Sequence, residues 1–427
     1  MSTPLILALI VFVLVFLLKV PLALGMLAAG FTYLAASGGN LSVIANGFIN
    51  SYYSGFTIIA VPLFIFTANV MNSGKITRNM FDFCDVLVGR FRGGMAHVNV
   101  LASLVFAGMT GSAVADVSGL GKIEIQAMTE EGYDPEFSCA VTASSAVLGP
   151  IFPPSQIMLI YSMITGASVG SLFLGGVIPA IVIAICLMVY ITYIAKKRNY
   201  PYGTRYTIQE ALRVTLKAIP ALLTPVILLG GIYTGVFTPT EAAAVAGLYS
   251  IVVAIFVYRM VGFKDLLKII EQTAVDVGRI SIIVGAASAL KYVVTREKIA
   301  DMLGTFLVEH IASSELFLLA VILLFLFLGM FLETSTIILV VVPILMPALQ
   351  AFNIDLVHFG IVSSICVMIG LCTPPYGSCL FITSAVSGAP LKSVIRETLP
   401  FVAMLIVALL IVTYCPVLVS FVPSLMG

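Results

Sequence analysis

The chain alternates long apolar segments with short polar ones, and the apolar segments have the length of membrane-spanning helices. Segments near 218–236, 241–262 and 270–294 predict single spans, as does an earlier one at 51–71. Residues 4–36 predict either one long tilted span or a span followed by an interfacial piece, with its orientation left open. No series of ten-residue alternating segments indicates a β-barrel. The pattern therefore predicts an all-α polytopic membrane protein.

Two apolar segments contain sequences through which a helix cannot run. The first, Gly149-Pro-Ile-Phe-Pro-Pro-Ser155, interrupts 137–165, and the second, Gly370-Leu-Cys-Thr-Pro-Pro-Tyr-Gly377, interrupts 355–386. Adjacent prolines lack amide donors and push the residue before them out of the helical region. Irregular backbone at membrane depth is tolerated only where it is buried in protein or lines a cavity. We therefore expect two broken helices that shape a binding site.

The two breaks belong to an internal repeat. A shift of 221 residues gives 12 identities over the 74 positions from Phe106 to Pro179. The identities include residues that break or cap structure, which are the pairs Gly108 and Gly329, Asp134 and Asp355, Gly149 and Gly370, Pro153 and Pro374, Pro154 and Pro375, and Pro179 and Pro400. Interrupted segments at matching positions of two halves indicate the central site of a secondary transporter.

Polar residues also interrupt the apolar segment that precedes each break. Thr110-Gly-Ser112 divides 93–128, and Phe331-Leu-Glu-Thr-Ser335 divides 315–350, so each segment predicts a re-entrant helical hairpin. A half-helix beginning near Ser112 would direct its positive end at a carboxylate, although Ser and Gly also pack simply between membrane helices. Carboxylates at membrane depth are costly and usually functional. Glu333 is therefore a candidate ligand, or the N-cap of a helix starting at Thr334.

Composition and charge place the chain in the membrane and set its topology. Sixty per cent of the residues are hydrophobic, ten per cent are charged and the mean hydropathy is +1.15. The basic segment 196–217 is predicted to be cytoplasmic and to contact lipid. Alternation of the spans around it orients the two hairpin-and-break units oppositely, which defines an inverted repeat. The net charge of +1 gives no indication of nucleic-acid binding.

Several kinds of chemistry are excluded by the motifs. The seven cysteines are scattered and form no metal-binding or disulfide pattern. Gly119-Leu-Gly-Lys122 is not a phosphate-binding loop, because Asp116 stands where that motif needs glycine and Ile123 follows the lysine. No nucleophile or metal constellation supports an intramembrane enzyme. We expect no ATP hydrolysis and no enzymatic activity.

The motifs together resemble those of a known transporter family along essentially the whole chain. The residues that carry the likeness are Ala107-Gly-Met-Thr-Gly-Ser-Ala-Val-Ala-Asp116, Glu131-Gly-Tyr133, Gly149-Pro-Ile-Phe-Pro-Pro-Ser155, Asn353-Ile-Asp355 with His358-Phe-Gly360, and Thr373-Pro-Pro-Tyr-Gly377. This set is similar to the large membrane (M) subunit of tripartite ATP-independent periplasmic (TRAP) transporters, and among them to the sialic-acid members.

The resemblance implies a mechanism, partners and a location. It implies sodium-driven uptake of an organic acid across the bacterial inner membrane by an elevator movement, with a soluble periplasmic binding protein and a small four-helix membrane (Q) subunit. The expected scaffold parts are 1–92, 177–314 with the basic loop 196–217, and the C-terminal helix 391–427. The expected transport parts are 93–176 and 315–390. A C4-dicarboxylate substrate, a passive channel and a structural subunit without a site remain alternatives.

These implications, together with the breaks, define two sets of candidate residues. Hydroxyls and unwound carbonyls suit sodium, and two breaks suggest at least two ions. The candidate substrate ligands are Thr110, Gly111, Ser112, Asp116, Glu333, Thr334 and Ser335. The candidate sodium ligands are Gly108, Ser145, Gly149, Pro150, Pro153, Gly329, Gly370, Thr373 and Pro374. Plain proline kinks are the alternative explanation of the breaks.

Overall fold

The structure of the protein, a computed structural model, describes residues 2–18, 20–53, 57–72, 74–203, 205–259, 261–311 and 313–425. In these residues every regular element is a helix, apart from an isolated β-bridge between Arg92 and Tyr202. Six helices in the described part are long and apolar enough to span a membrane, or up to seven if a bent pair counts as one span. The predicted all-α polytopic fold is confirmed.

The amino-terminal region is a helical hairpin. Helices α1 (Thr3–Leu17) and α2 (Leu22–Ser37) pack along each other, with Gly25 of α2 beside Val15 of α1. The prediction of one long tilted span was wrong, because the chain turns back around Pro21 and buries the small-residue face of α2. Helix α3 (Ser42–Tyr53) follows as a short separate element.

The next helices lead to the first predicted hairpin. Helices α4 (Thr57–Met71) and α5 (Gly74–Val88) form the pair bent by 75°. Helix α6 (Gly94–Thr110) then ends where Gly111 adopts a left-handed φ of 59°, and Ser112 caps the next helix. Helices α7 (Ala113–Gly119) and α8 (Gly121–Glu130) form the second arm. The predicted interruption at Thr110–Ser112 is confirmed.

The first broken helix follows as predicted. Helix α9 (Pro135–Ser145) continues as a 3-10 turn at Ala146–Leu148, and helix α10 is Gln156–Thr165. The loop between α10 and α11 is only three residues long, because Ser168 caps helix α11 (Val169–Lys197) by accepting the Ser171 amide. The glycines near the start of α11, such as Gly175 and Gly176, are accommodated inside the helix.

Four further helices lie between α11 and the second repeat. They are α12 (Ile208–Tyr233), α13 (Pro239–Val252), which continues as a π turn at Val253–Val257, α14 (Phe263–Arg296) and α15 (Ile299–His310). Most of the segment 196–217 is helical rather than a loop, because a capping box of Thr207 and Glu210 starts α12 early. Helix α15 was not predicted from the sequence, and it packs along the second hairpin.

The second repeat reproduces the first. Its hairpin consists of α16 (Ser314–Gly329) and α17 (Thr334–Ala351), and its broken helix consists of α18 (Leu356–Gly370) and α19 (Ser378–Ser387). Helices α20 (Leu391–Tyr414) and α21 (Val417–Ser424) complete the described chain. Both breaks contain a cis proline–proline bond, Pro153–Pro154 and Pro374–Pro375.

The structure corrects the constant spacing of the repeat. Helix α10 ends with Ser162 donating to the Ala167 carbonyl, and α19 ends with Ser384 donating to the Ala389 carbonyl, so these ends are 222 residues apart. The prolines of the breaks are 221 residues apart. The second break therefore contains one additional residue between its prolines and α19. It follows that Pro179 and Pro400 do not occupy equivalent helix positions.

The two repeats interlock. Helix α10 of the first broken helix packs against α17 of the second hairpin. In the same way, α19 of the second broken helix packs against α7 of the first hairpin. Each hairpin is thereby held by the other half of the molecule, which brings both tips and both breaks to one region.

Candidate functional site

The tip of each hairpin lies against the break of its own repeat. A Cβ on Gly111 would come within 2.6 Å of the Pro154 carbonyl oxygen. At the second tip, a Cβ on Gly329 would lie 3.2 Å from the Gly370 Cα atom. Glycine permits this close approach of two backbones. Both tips are therefore fixed at the irregular backbone that the prolines create.

The second tip carries a carboxylate that caps a helix. The Glu333 side chain accepts the Thr336 amide at 3.0 Å and lies 3.3 Å from the Thr336 hydroxyl. The Thr334 hydroxyl lies 3.4 Å from the other carboxylate oxygen. The predicted N-cap role is confirmed, and the side chain is at the same time exposed to a cavity.

That cavity has a volume of about 950 Å³ and is lined by residues of both hairpin tips. The predicted site residues that line it are Gly111, Ser112, Pro150, Gly329, Glu333, Thr334 and Ser335. Residues in and beside the second break also line the cavity, namely Leu371, Tyr376 and Ser378. Residues of both tips, and residues in or beside both breaks, thus line one cavity.

Another part of the cavity wall comes from α4 and α14, which the sequence did not indicate as part of a site. Asn69 of α4 lies 3.1 Å from the Thr273 hydroxyl and 3.4 Å from the Asp276 carboxylate, both on α14. Gln272 also donates to Asp276, at 3.0 Å. The positions of Gln272, Asp276 and Arg279 at intervals of four and three residues put them on one face of α14. That spacing was the available sequence signal for these residues.

Other predicted residues lie behind the cavity wall. Asp116 is buried near the Ser103 hydroxyl, and its Oδ1 atom has no partner among the described residues. Ser145 donates to Asn99 at 2.7 Å and lies 3.1 Å from the Ser103 hydroxyl. The Asp116 side chain is thus turned toward α6 and does not line the cavity, so its role as a substrate ligand stays a prediction.

The two breaks present carbonyl groups without protein donors. In the described part of the chain, no hydrogen bond reaches the carbonyls of residues 149–154 or 372–376. The Thr373 hydroxyl donates to the Ile369 carbonyl at 2.7 Å, which leaves its oxygen lone pairs available. Some predicted sodium ligands belong to these breaks but do not line the cavity; they are Gly149, Pro153, Gly370, Thr373 and Pro374. The backbone of Gly108 and Thr110 ends α6, and the side chain of Thr110 lies outside the described part.

Clusters that hold transition metals are not found among the described residues, where no group of three His, Cys, Asp or Glu side chains converges. The arrangement instead offers hydroxyls, amides and backbone carbonyls around one cavity between interlocked halves. An all-α inverted repeat with two hairpins, two broken helices and such a central cavity defines a secondary membrane transporter.

Comparison with known proteins assigns the family. Residues 9–418 match the family model described as "Tripartite ATP-independent periplasmic transporter, DctM component", and the chain belongs to this family of transporter large permeases. It is therefore a transporter subunit of a tripartite system and not an enzyme.

Individual relatives agree with this assignment. The chain is 38% identical over 370 residues to "Sialic acid TRAP transporter large permease protein SiaM" of Vibrio cholerae, covering 87% of each chain. It is 39% identical over 372 residues to "C4-dicarboxylate TRAP transporter large permease protein DctM" of Pseudomonas aeruginosa, again covering 87% of each. It is 36% identical to "Sialic acid TRAP transporter permease protein SiaT" of Haemophilus influenzae, covering 100% of this chain and 69% of that protein.

A solved structure supports the fold alone. The YdaH transporter of Alcanivorax borkumensis, whose crystal structure was described as having an unusual topology, superposes with a TM-score of 0.66 at 11% sequence identity. The match covers 88% of this chain and 87% of that one. Such low identity carries no information on the substrate.

Proposed function

We propose that this protein takes up an organic acid together with sodium ions. The observation that carries the proposal is the single cavity lined by both hairpin tips and reached by both breaks. Sialic acid is the first candidate substrate, because two of the relatives above carry that name. A C4-dicarboxylate is the second candidate, because the relative at 39% identity is named for it.

Sodium binding is proposed at the two breaks. The carbonyls of residues 149–154 and 372–376 have no hydrogen-bond donors among the described residues, and Thr373 adds a hydroxyl oxygen. Hard cations take oxygen ligands, and unwound backbone in transporters supplies them. One ion at each break accounts for the repetition of the motif and for a stoichiometry of at least two.

Transport is proposed to occur by an elevator movement of the hairpins and broken helices. The interlocking of α10 with α17 and of α7 with α19 supports a single moving body. Helices α11 and α20 pack on the broken helices and on each other, and α15 packs along α17. These contacts favour including α11, α15 and α20 in the moving body rather than in the scaffold.

Two partners and a location complete the proposal. The word "tripartite" in the family description supports a transporter of three components. We assign the other two as a small four-helix membrane (Q) subunit and a soluble binding protein that delivers the acid. Such delivery requires the inner membrane, with the binding protein in the periplasm.

The experiment is solute accumulation in liposomes that contain this chain, its small membrane subunit and its binding protein. Labelled sialic acid and labelled succinate are supplied separately under an inward sodium gradient, and then with potassium replacing sodium. Accumulation of one acid only with sodium and the binding protein is expected.

Each of the other outcomes would overturn a different part of the proposed function. Accumulation without sodium removes the assignment of the breaks as ion sites. Uptake without the binding protein removes the delivery step. Equilibration without accumulation means a passive channel and overturns the coupled mechanism.

A further inference from the structure

Among the described residues that line the cavity, one side chain is positively charged, and it is unpaired there. Among the described lining residues the charged side chains are Asp276, Arg279 and Glu333. Glu333 is engaged as the N-cap of α17, and Asp276 is held by Asn69 and Gln272. Arg279 has no ion pair or hydrogen bond in the described part of the chain, where the salt bridges belong to Arg198. The guanidinium therefore has no partner among the described residues.

The position of Arg279 makes this lack of a partner significant. It lies near the middle of α14, which is 34 residues long, at about 25 Å from either end for a rise of 1.5 Å per residue. Helix α14 is long and apolar enough to span a membrane, and ionisable side chains within such a helix are costly, so they pair or mark a substrate pathway. Arg279 is exposed to the cavity rather than buried against another helix.

The hairpin tips do not provide an alternative site for an anion. The helix that begins after Ser112 has only seven residues, so its dipole is small. The amino terminus of α17 already holds the Glu333 carboxylate. The cationic group left to attract an anion among the described lining residues is therefore Arg279 of α14.

We propose that Arg279 binds the carboxylate of the transported acid and that the cavity selects acids with one carboxylate and a polar, uncharged body. This inference rests on the proposed uptake of an organic acid. The planar guanidinium can hold a carboxylate through two parallel hydrogen bonds. Amide and hydroxyl groups of Asn72, Gln156, Gln272 and Tyr376 line the remaining space. A second carboxylate in that space would face Glu333 or Asp276 and be repelled.

The test compares an acid with its neutral amide in binding to the purified membrane complex. Wild-type protein is expected to bind sialic acid roughly 10- to 100-fold more tightly than sialic acid amide, because the hydrogen bonds to the acid are charge-assisted. Arg279→Gln is expected to reduce this ratio to near one. Arg279→Lys, which keeps the charge but loses the planar fork, is expected to give an intermediate ratio.

The control is Lys291→Gln, which removes a charge from the same helix at a position that does not line the cavity. An unchanged acid-to-amide ratio in Arg279→Gln would overturn the inference. If Arg279→Gln binds neither ligand, the ratio in Arg279→Lys decides: an intermediate ratio supports the inference, and a ratio equal to that of the wild type overturns it. Wild-type accumulation of succinate at a rate equal to that of sialic acid would overturn the single-carboxylate selectivity. Absence of uptake of any acid by wild-type protein would instead remove the proposed function.

Discussion

Gly370, the last residue of α18, lies directly against the backbone of Gly329, the last residue of α16. A Cβ on Gly370 would come within 2.7 Å of the Gly329 carbonyl oxygen and still closer to its carbonyl carbon and Cα atoms. All three contact atoms belong to the backbone, which cannot rotate away as a side chain does. The second hairpin and the second break are therefore one packed unit, and the site depends on the absence of side chains at both positions.

Gly370→Ala is expected to displace the second tip and to lower the uptake rate by at least about tenfold. Overpacking of this kind costs about 1–3 kcal/mol, and the shift moves Glu333 relative to the cavity. The measurement is solute uptake alongside thermal unfolding of the purified complex. Gly230→Ala is the control, because nothing lies within 4 Å of a Cβ at that helical position. Equal losses in the two variants would contradict the special role of the glycine pair.

Glu333 has two functions that substitutions can separate. Glu333→Gln keeps an oxygen that can accept the Thr336 amide, so the unfolding temperature should change little. Glu333→Ala removes the cap and should destabilise the protein by about 0.5–2 kcal/mol. If the charge also serves transport, Gln and Ala should both reduce uptake although only Ala reduces stability. Normal uptake by the Gln variant would leave Glu333 as a cap alone.

Removal of the Thr373 hydroxyl should weaken coupling to sodium. In Thr373→Val the oxygen that we assign to the second ion is lost, and the sodium concentration for half-maximal uptake is expected to rise about tenfold. Thr398→Val is a matched control, because Thr398 is buried and donates to a carbonyl four residues earlier, at 2.8 Å, in the same way as Thr373. The same sodium dependence in both variants would remove Thr373 from the ion site.

The end of α14 should respond to acid through Glu297. Its carboxylate accepts hydrogen bonds from Ser2 at 2.6 Å and Tyr33 at 2.8 Å, and these hold its pKa below the ordinary value of 4.5. Because the pKa is lower in the folded protein, this contact stabilises the fold fully above the ordinary value and is lost as the pH falls through the lowered one.

The measurement for Glu297 is hydrogen exchange of α2 between about pH 5 and about pH 3, read against the linkage relation. Wild-type protein should lose protection of α2 toward the acid end, and Glu297→Gln should show little change over the same interval. Glu271→Gln, at an exposed position of α14, should behave as wild type. A wild-type α2 whose protection is independent of pH would contradict the prediction.

The breaks and tips were predictable from sequence because each depends on residues with local effects. The adjacent prolines at 153–154 and 374–375 remove two successive amide donors and so interrupt a helix, whereas single prolines such as Pro179 are accommodated within helices. The Ser112 and Glu333 side chains start new helices at the tips by capping. The length of α11 was not predictable in this way. Its glycines, including Gly175 and Gly176, are tolerated because neighbouring chain packs against them, which is a tertiary effect.

The part of the cavity wall formed by α14 was missed for a similar reason. Asp276 and Arg279 lie within an apolar segment, and only the folded arrangement shows that their face of α14 turns to the cavity and not to lipid. The burial of Asp116 was also decided by packing, because a seven-residue helix can direct the same side chain to either side. Helix α15 was overlooked because its pattern is short and contains charged residues.

The extra residue of the second break makes the two breaks present different side chains at the cavity. Tyr376 follows the prolines of that break, is 65% exposed and lies 5.8 Å from the Phe381 ring, between ring centroids. At the corresponding place in the first break the prolines are followed at once by Ser155, which is buried as the cap of α10. A ligand in the cavity therefore meets an aromatic ring at the second break, whereas the first break presents Pro150 and Gln156. An asymmetric solute should consequently occupy the cavity in one pose, which the two related halves alone would not enforce.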